Sequence, residues 1–243
     1  MKSLFRSLFI TLLCASASMI AAQDVDDVIK DYFKAVGGAD KMAAITTMKM
    51  VGASTSPQGT APMTMIKKSP QKSKMVINVM GSEMIFAYDG ETAWTSNPWQ
   101  GGGVPKILEG PQAERFTKDE MEDPFLNYAD KGHTVKFLGE EDVNDETHYK
   151  LRLTKKGGEE MVYYFNADSG LPTQMKMLIT EGQAKGSIAV TSFSDYKKVG
   201  GLMMAHAIDT SVDGSSQSNF VITEMMVNED IPDTEFAFPE EKE

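Results

Sequence analysis

The stretch that decides the fold is residues 46–96, TTMKMVGASTSPQGTAPMTMIKKSPQKSKMVINVMGSEMIFAYDGETAWTS. Apolar side chains recur here at every second position, which is typical of β-strands with one buried face. The clearest alternating pairs are Met48 and Met50, Met63 and Met65, and Met75 and Ile77. Turn-forming pairs such as Ser56-Pro57 and Asp89-Gly90 interrupt the alternation. The stretch therefore predicts consecutive antiparallel strands joined by short turns.

The same alternation recurs in the second half of the chain. It is found in segments 149–153, 161–166, 173–180, 187–193, 203–210 and 219–227. Together with the strands of the first stretch, these segments bring the predicted total to about eleven. The expected fold class is mainly β, a large antiparallel sheet or barrel.

Three segments depart from this pattern. Residues 24–36 have apolar positions at helical spacing and are followed by Gly37-Gly38, which predicts a short amphipathic helix. Residues 97–130 lack alternation, and we expect a helix over 112–121 and a shorter one over 125–130, together forming a lid on the sheet. The acidic run 140–142 is interpreted as a turn.

Composition excludes several functional classes. The chain has 243 residues, 24 Lys plus Arg against 35 Asp plus Glu, and a formal net charge of −11. Nucleic-acid binding is not expected, because neutralising phosphates requires clustered cations. The lone cysteine, Cys14, cannot form an internal disulfide.

The N-terminal residues are typical of a secretory signal peptide. Lys2 and Arg6 precede a short apolar run and then small residues ending at Ala22. We predict a signal peptide over 1–22, with cleavage after Ala17 as the alternative. A single domain over 23–239 and an acidic tail over 240–243 would follow. The mature chain would then be periplasmic, and no later segment is long and apolar enough to span a membrane.

The sequence shows no recognisable catalytic constellation. It contains no Gly-x-Ser-x-Gly elbow, P-loop or dinucleotide fingerprint. The histidines, His133, His148 and His206, are scattered without metal-ligand spacing. We therefore predict no enzyme activity, no metal and no cofactor.

Methionine is the unusual feature, with 18 residues. Pairs at i and i+2 place two flexible, polarizable side chains on one face of a strand, which suits an apolar cavity of adaptable shape. The predicted acyl-chain cavity comprises Met65, Met84, Phe86, Trp94, Phe116, Phe125, Met175 and Met177. One alternative is an ordinary core that uses Met in place of Leu, and a second is copper(I) binding by clustered thioethers.

Five motifs, in this order and spacing, resemble the outer-membrane lipoprotein-sorting family, the relatives of the periplasmic carrier LolA. They are AVGGADK (35–41), YDGETAW (88–94), YFNADSGLPT (164–173), SDYKKVGGL (194–202) and VNEDIPDTEF (227–236). The resemblance covers residues 25–239 and implies a strongly curved, incomplete antiparallel barrel. Helices would close its concave face over a hydrophobic cavity. In the carriers an arginine of the barrel helps to hold the lid closed, and neither Arg115 nor Arg152 maps onto that role.

The resemblance implies a soluble periplasmic carrier. Its hydrophobic cavity would bind lipid or lipoprotein acyl chains for transport or sorting toward the outer membrane. The expected partners are those acyl chains and envelope membrane proteins that load and release them. The alternative is a non-catalytic envelope interaction or sensor module whose cavity is filled by its own side chains.

Overall fold

The computed structural model describes residues 24–117 and 120–239. The predicted signal peptide, 1–22, and acidic tail, 240–243, lie outside these residues. The helices are α1 (Val25–Val36), α2 (Ala39–Ala43) and α3 (Pro111–Thr117), with a short 3-10 helix at Asp233–Glu235. The strands of the first half are β1 (Thr47–Ser56), β2 (Gly59–Lys68), β3 (Lys72–Val79), β4 (Ser82–Tyr88), β5 (Ala93–Ser96) and β6 (Lys106–Ile107). Those of the second half are β7 (Thr134–Val143), β8 (Glu146–Thr154), β9 (Glu160–Asn166), β10 (Pro172–Leu178), β11 (Ile188–Val199), β12 (Leu202–Val212) and β13 (Ser215–Val227).

All thirteen strands form one antiparallel sheet in the order β6-β5-β4-β3-β2-β1-β13-β12-β11-β10-β9-β8-β7. Every neighbour is consecutive in the chain except β1 and β13, whose pairing joins the first half of the sheet to the second. Strands β6 and β7 are the two edges and do not pair with each other, so the sheet is open. The mainly β class and the single antiparallel sheet are confirmed.

The two strands beyond the expected eleven are β6 and β7. The acidic run 140–142, interpreted from the sequence as a turn, lies inside β7, so that interpretation was wrong. Strand β7 is an edge, and charged residues are common on edge strands because they discourage pairing with other chains. A bulge between Phe137 and Gly139 further obscures the alternation.

One face of the sheet is covered by α1, and we call it the inner face. Register pairs connect its positions across the sheet, for example Met50 with Met65 in β1–β2 and Leu151 with Tyr163 in β8–β9. The apolar side of α1 packs against the β7–β10 half of this face. The resulting core comprises Val28, Ile29, Tyr32, Val36, Phe125, Leu151, Leu153, Met161 and Phe165.

The sheet is strongly curved. The β2–β3 turn (69–71) and the β8–β9 turn (155–157) both line one cavity of about 940 Å³. The nearest of these strands, β2 and β9, are six steps apart in the sheet order. In a flat sheet that separation would be about 29 Å. Curvature must therefore bring the two halves to face each other.

The segment after α3 differs from the expected pair of lid helices. Helix α3 is described as far as Thr117, and residues 124–132 form turns, so the second predicted helix, 125–130, was wrong. The backbone φ of Asn127 is +48°, a left-handed conformation that interrupts an α-helix. Residues 120–133, which we call the crossing segment, nevertheless reach the inner face, where Phe125 joins the core around α1.

The opposite, outer face is covered near β2–β5 by residues 228–238, which we call the C-terminal strap. Ile66 of β2 packs with Ile231 and Phe236 of the strap. Lys68 and Lys72 form ion pairs with Asp233 at 2.7 and 2.8 Å, and Lys74 pairs with Glu235 at 2.7 Å. The strap therefore covers the β2–β5 part of the outer face.

Candidate ligand-binding site

The cavity has an apolar wall built from α1, α2, β1 and β12. Its main side chains are Val36, Met42, Ile45, Met48, Met203 and Met204. The short helix α2 lies here because Gly37, at the end of α1, has φ +110° and turns the chain. A Cβ at Gly37 would lie 2.5 Å from the carbonyl oxygen of Gly201, so only glycine permits this close approach to the β11–β12 turn.

Charged and polar side chains form another part of the lining, which we call the polar wall. It comes from the crossing segment and from the β8–β9 turn, and comprises Glu120, Glu122, Asp123, Lys131, His133, Lys155 and Lys156. The Lys131 ammonium pairs with Glu122 at 2.8 Å and donates to the backbone oxygen of Asp123 at 3.1 Å. The cavity is therefore amphipathic, with most of its thioethers on one side and the charged groups, together with Met121, on the other.

Asp123 connects this wall to α1. The Tyr32 hydroxyl donates to Asp123 Oδ2 at 2.5 Å, and the Phe125 backbone N–H donates to Asp123 Oδ1 at 2.9 Å. Burial is the main cause that raises the pKa of the Asp123 carboxyl, and the hydrogen bond from Tyr32 opposes it in part. Burial and the neighbouring carboxyl raise the pKa of Tyr32 well above its usual value, so its hydroxyl stays protonated.

Two further polar side chains of the cavity make hydrogen bonds to the backbone. The Tyr196 hydroxyl donates to the Pro172 carbonyl oxygen at 2.5 Å, and burial raises its pKa. The Lys156 backbone N–H donates to His133 Nδ1 at 3.2 Å, which leaves the ring proton of a neutral His133 on Nε2. That Nε2 is buried and has no hydrogen-bond partner among the described residues. These contacts suit binding and positioning, and they do not pair a nucleophile with a base.

A row of apolar side chains crosses five neighbouring strands of the inner face. Register pairs connect Met225 to Met50, Met50 to Met65, Met65 to Met75 and Met75 to Phe86. We call Met225, Met50, Met65, Met75 and Phe86 the methionine row. Four strand spacings make it about 19 Å long. A parallel row beside it contains Met63, Ile77 and Met84, which are also paired in register.

Met48 connects the cavity with this row. It lines the cavity and also packs against the buried cluster of Met50, Met63, Phe220 and Ile222. Met48, Met65 and Met75 are only partly buried. A ligand in the cavity can therefore continue along the inner face over a thioether surface.

The structure brings some of the predicted site residues together and separates others. Met65, Met84 and Phe86 lie side by side on the inner face of β2–β4. Met175 and Met177 pack against the core around α1, of which Phe125 is a member, in the other half of the sheet. Phe116 lies in α3 and is partly exposed. None of the eight predicted residues lines the cavity.

Trp94 lies on the outer face. In the β4–β5 register it is opposite Ala87, whereas Phe86 is opposite Thr95, so Phe86 and Trp94 point to different sides. Its indole N–H donates to the backbone oxygen of Phe236 in the strap at 2.8 Å, and its ring meets that of Phe238. Trp94 therefore does not belong to the apolar surface of the inner face.

Sequence reasoning missed the methionines that do line the cavity. Met42 and Met121 lie outside strands, and Met203 and Met204 are adjacent in sequence, so none of them fits a period of two. Only Met48 belonged to an alternating pair. The signal that could have pointed to these cavity methionines was the high methionine content itself, which does not depend on secondary structure.

Among the described residues, no group of three or more His, Cys, Asp or Glu side chains is placed to hold a metal ion. Over the same ranges, no helix combines the length and apolar character needed to cross a membrane.

The similarity of this chain to known proteins is found by comparing structures. No protein-family model matches the chain, and neither does any curated protein. A LolA superfamily protein from Nitrosomonas europaea is similar in structure, with a TM-score of 0.56 and 15% identity over 86% of this chain and 96% of that one. A DUF1329 family protein from Desulfovibrio piger gives a TM-score of 0.59 and 15% identity over 86% and 97% of the two chains.

A third similar structure is an outer membrane lipoprotein-sorting protein domain from Vibrio parahaemolyticus. Its TM-score is 0.54 and its identity is 12%, over 86% of this chain and 94% of that domain. At such identities the comparisons concern architecture. The open, curved sheet with a helix across its inner face is a LolA-like fold.

Proposed function

We propose that the chain is a non-catalytic periplasmic carrier that binds the acyl chains of a lipid or lipoprotein on the inner face of its sheet. The observation that carries the proposal is that Met48 both lines the cavity and packs against the buried cluster that contains Met50 of the methionine row. The LolA-like fold supports the same function, since a similar domain is named for lipoprotein sorting.

The energetics favour acyl chains as the ligand. Each CH₂ group removed from water contributes about 0.8 kcal/mol. The methionine row has the length of an extended long-chain acyl group, and unbranched thioether side chains adapt to its changing shape. Binding of this kind needs no bond to be made or broken, so release would require only a movement of the crossing segment or transfer to a partner.

The site proposed for the chains comprises the cavity methionines and the inner-face residues. It retains Met65, Met84 and Phe86 from the sequence prediction, with Met175, Met177 and Phe125 at the far end of the face and Phe116 near its edge. It adds Met48, Met50, Met75, Met203 and Met204. Envelope membrane proteins would load and unload the carrier.

The first test is native mass spectrometry of residues 23–243 purified from an envelope fraction, followed by organic extraction. We expect a bound lipid or acylated peptide. A clean apo mass, together with no uptake of added dodecanoate or lysophospholipid, would overturn the proposal and favour the self-filled interaction module.

The second test locates the chains on the inner face. A Met65→Gln, Met75→Gln double variant places polar amides in the middle of the methionine row, and we expect about tenfold weaker binding of an acyl probe. The control is Met80→Gln, which makes the same chemical change at a side chain that is 97% exposed in the β3–β4 turn. Equal losses in both variants would place the chains elsewhere.

A further inference from the structure

The two walls of the cavity point to a specific class of amphiphile. We infer that the polar wall holds an anionic head group, a carboxylate or a phosphate monoester, while the acyl tail leaves along Met48 onto the methionine row. This inference rests on the proposed function, because it assumes that an acyl chain occupies the inner face.

The first support is the separation of chemistry within one cavity. Met42, Met48, Met203 and Met204 line the side formed by α2, β1 and β12. The lysines Lys131, Lys155 and Lys156 line the side formed by the crossing segment and the β8–β9 turn, where Met121 also lies. A purely apolar ligand would make no polar contacts with the lysine side. A purely polar ligand would make no apolar contacts with the methionine side.

The second support is the local charge. The polar wall has three lysines against the carboxyl groups of Glu120, Glu122 and Asp123, in a chain whose net charge is −11. Burial favours the neutral form of the Asp123 carboxyl by raising its pKa. With three lysines and three carboxyl groups, the wall has no net formal charge, so it opposes an anion less than the rest of this acidic protein does.

The third support is that the cations are incompletely paired. Lys131 is held by Glu122, but the Lys155 ammonium lies 4.0 Å from Glu120 and 3.8 Å from Glu159, which are long contacts. Lys156 is exposed and makes no ion pair with any described residue. Its backbone also sets the tautomer of His133, whose Nε2 has no partner beneath the same wall. An anionic oxygen at the wall would give these donors an acceptor.

The test compares probes that share one chain and differ in the head group. Dodecanoate and dodecyl phosphate carry the anionic head, and 1-dodecanol has the same tail without the charge. We expect the mature chain to bind both anionic probes about threefold to tenfold more tightly than the alcohol, as one or two solvent-exposed charge contacts would give. Raising the salt concentration should reduce this preference and leave the binding of 1-dodecanol unchanged.

Lys156→Glu should abolish the preference for the anionic probes while leaving 1-dodecanol binding as it was. Lys185→Glu is the matched control, because it makes the same charge change at an exposed lysine in the β10–β11 loop. A preference that falls equally in both variants would reflect overall charge and would overturn the inference.

The remaining outcomes separate the inference from the proposed function. Equal binding of the anionic probes and 1-dodecanol would overturn the anionic-head inference and leave the carrier intact. Binding of none of the three would overturn both. Displacement of dodecanoate by acetate at similar concentrations would show an anion site without a tail and would also overturn the inference.

Discussion

The Tyr32 hydroxyl lies 2.5 Å from Asp123 Oδ2 and donates a hydrogen bond to it, although the two residues are 91 positions apart. This bond joins α1 to the crossing segment at the wall of the cavity. The Phe125 ring packs edge-on against the Tyr32 ring, with centroids 6.0 Å apart, and reinforces the same junction. One contact between a helix and a turn segment therefore holds together two elements that line the cavity.

Removing the Tyr32 hydroxyl should loosen this junction. In Tyr32→Phe the ring packing is retained, but the partly buried Asp123 carboxyl loses a donor, so we expect the free energy of unfolding to fall by about 1–2 kcal/mol. Urea unfolding measures the change. Tyr149→Phe is the control, because its hydroxyl makes no hydrogen bond with any described residue. Equal effects of the two substitutions would mean that the Asp123 bond contributes nothing.

The Asp123 carboxyl should make stability depend on pH in an unusual direction. Burial raises its pKa above the ordinary value of 3.8, so the folded state holds the proton more tightly than the unfolded state does. The stabilisation from the protonated form is complete below 3.8 and is lost as the pH rises through the raised pKa.

Asp123→Asn should remove this dependence, because the amide is neutral throughout. Urea unfolding at pH values on both sides of 3.8 should show the unfolding free energy of the wild type falling, relative to the variant, as the pH rises. Asp130→Asn makes the same change at an exposed residue of the crossing segment and should behave as the wild type. Parallel profiles for wild type and Asp123→Asn would contradict the prediction.

Trp94 should matter for stability and not for acyl binding. It is only 3% exposed and donates to the Phe236 backbone oxygen of the strap, so Trp94→Phe should cost about 2 kcal/mol of unfolding free energy. The tryptophan emission of the Trp94→Phe variant should also shift to the red, because the remaining tryptophan, Trp99, is 53% exposed.

Acyl-probe affinity of Trp94→Phe, measured by a readout that does not use tryptophan fluorescence, should equal that of the wild type. Trp99→Phe is the matched control and should leave a blue-shifted emission from the buried Trp94. Loss of probe binding in a folded Trp94→Phe protein would place the ligand on the outer face.

Gly52 should be intolerant of any side chain. A Cβ at this position in β1 would lie 2.0 Å from the Val221 carbonyl oxygen, where the β1–β13 register shifts. Because that neighbour is backbone, Gly52→Ala should cost more than about 3 kcal/mol or prevent folding. Gly157→Ala, with no atom within 4 Å of the new Cβ, should leave the thermal midpoint almost unchanged. A stable Gly52→Ala protein would show that the two strands can separate without loss.

The candidate site could be predicted only where it follows a strand. Alternation predicted that Met65, Met84 and Phe86 share a face with their neighbours, and the register places them together on the inner face. Trp94 belongs to a strand of only four residues, where a shift of one position reverses the face, and the alternation there could not decide it. The polar wall, with Lys156 and His133, comes from turns that have no periodic signal.

The sequence by itself determined the class of fold, because a period of two and turn-forming glycines are local properties of the chain. It also determined that methionines would share faces, since residues two positions apart in a strand point the same way.

The tertiary structure alone decided which strands meet. The pairing of β1 with β13 places Met225 opposite Met50, across 175 positions of sequence, and thereby completes the methionine row. It also decided the cavity, because curvature brings the turns at 69–71 and 155–157 to opposite sides of one space. Such contacts depend on the packing of distant segments, which local alternation does not specify.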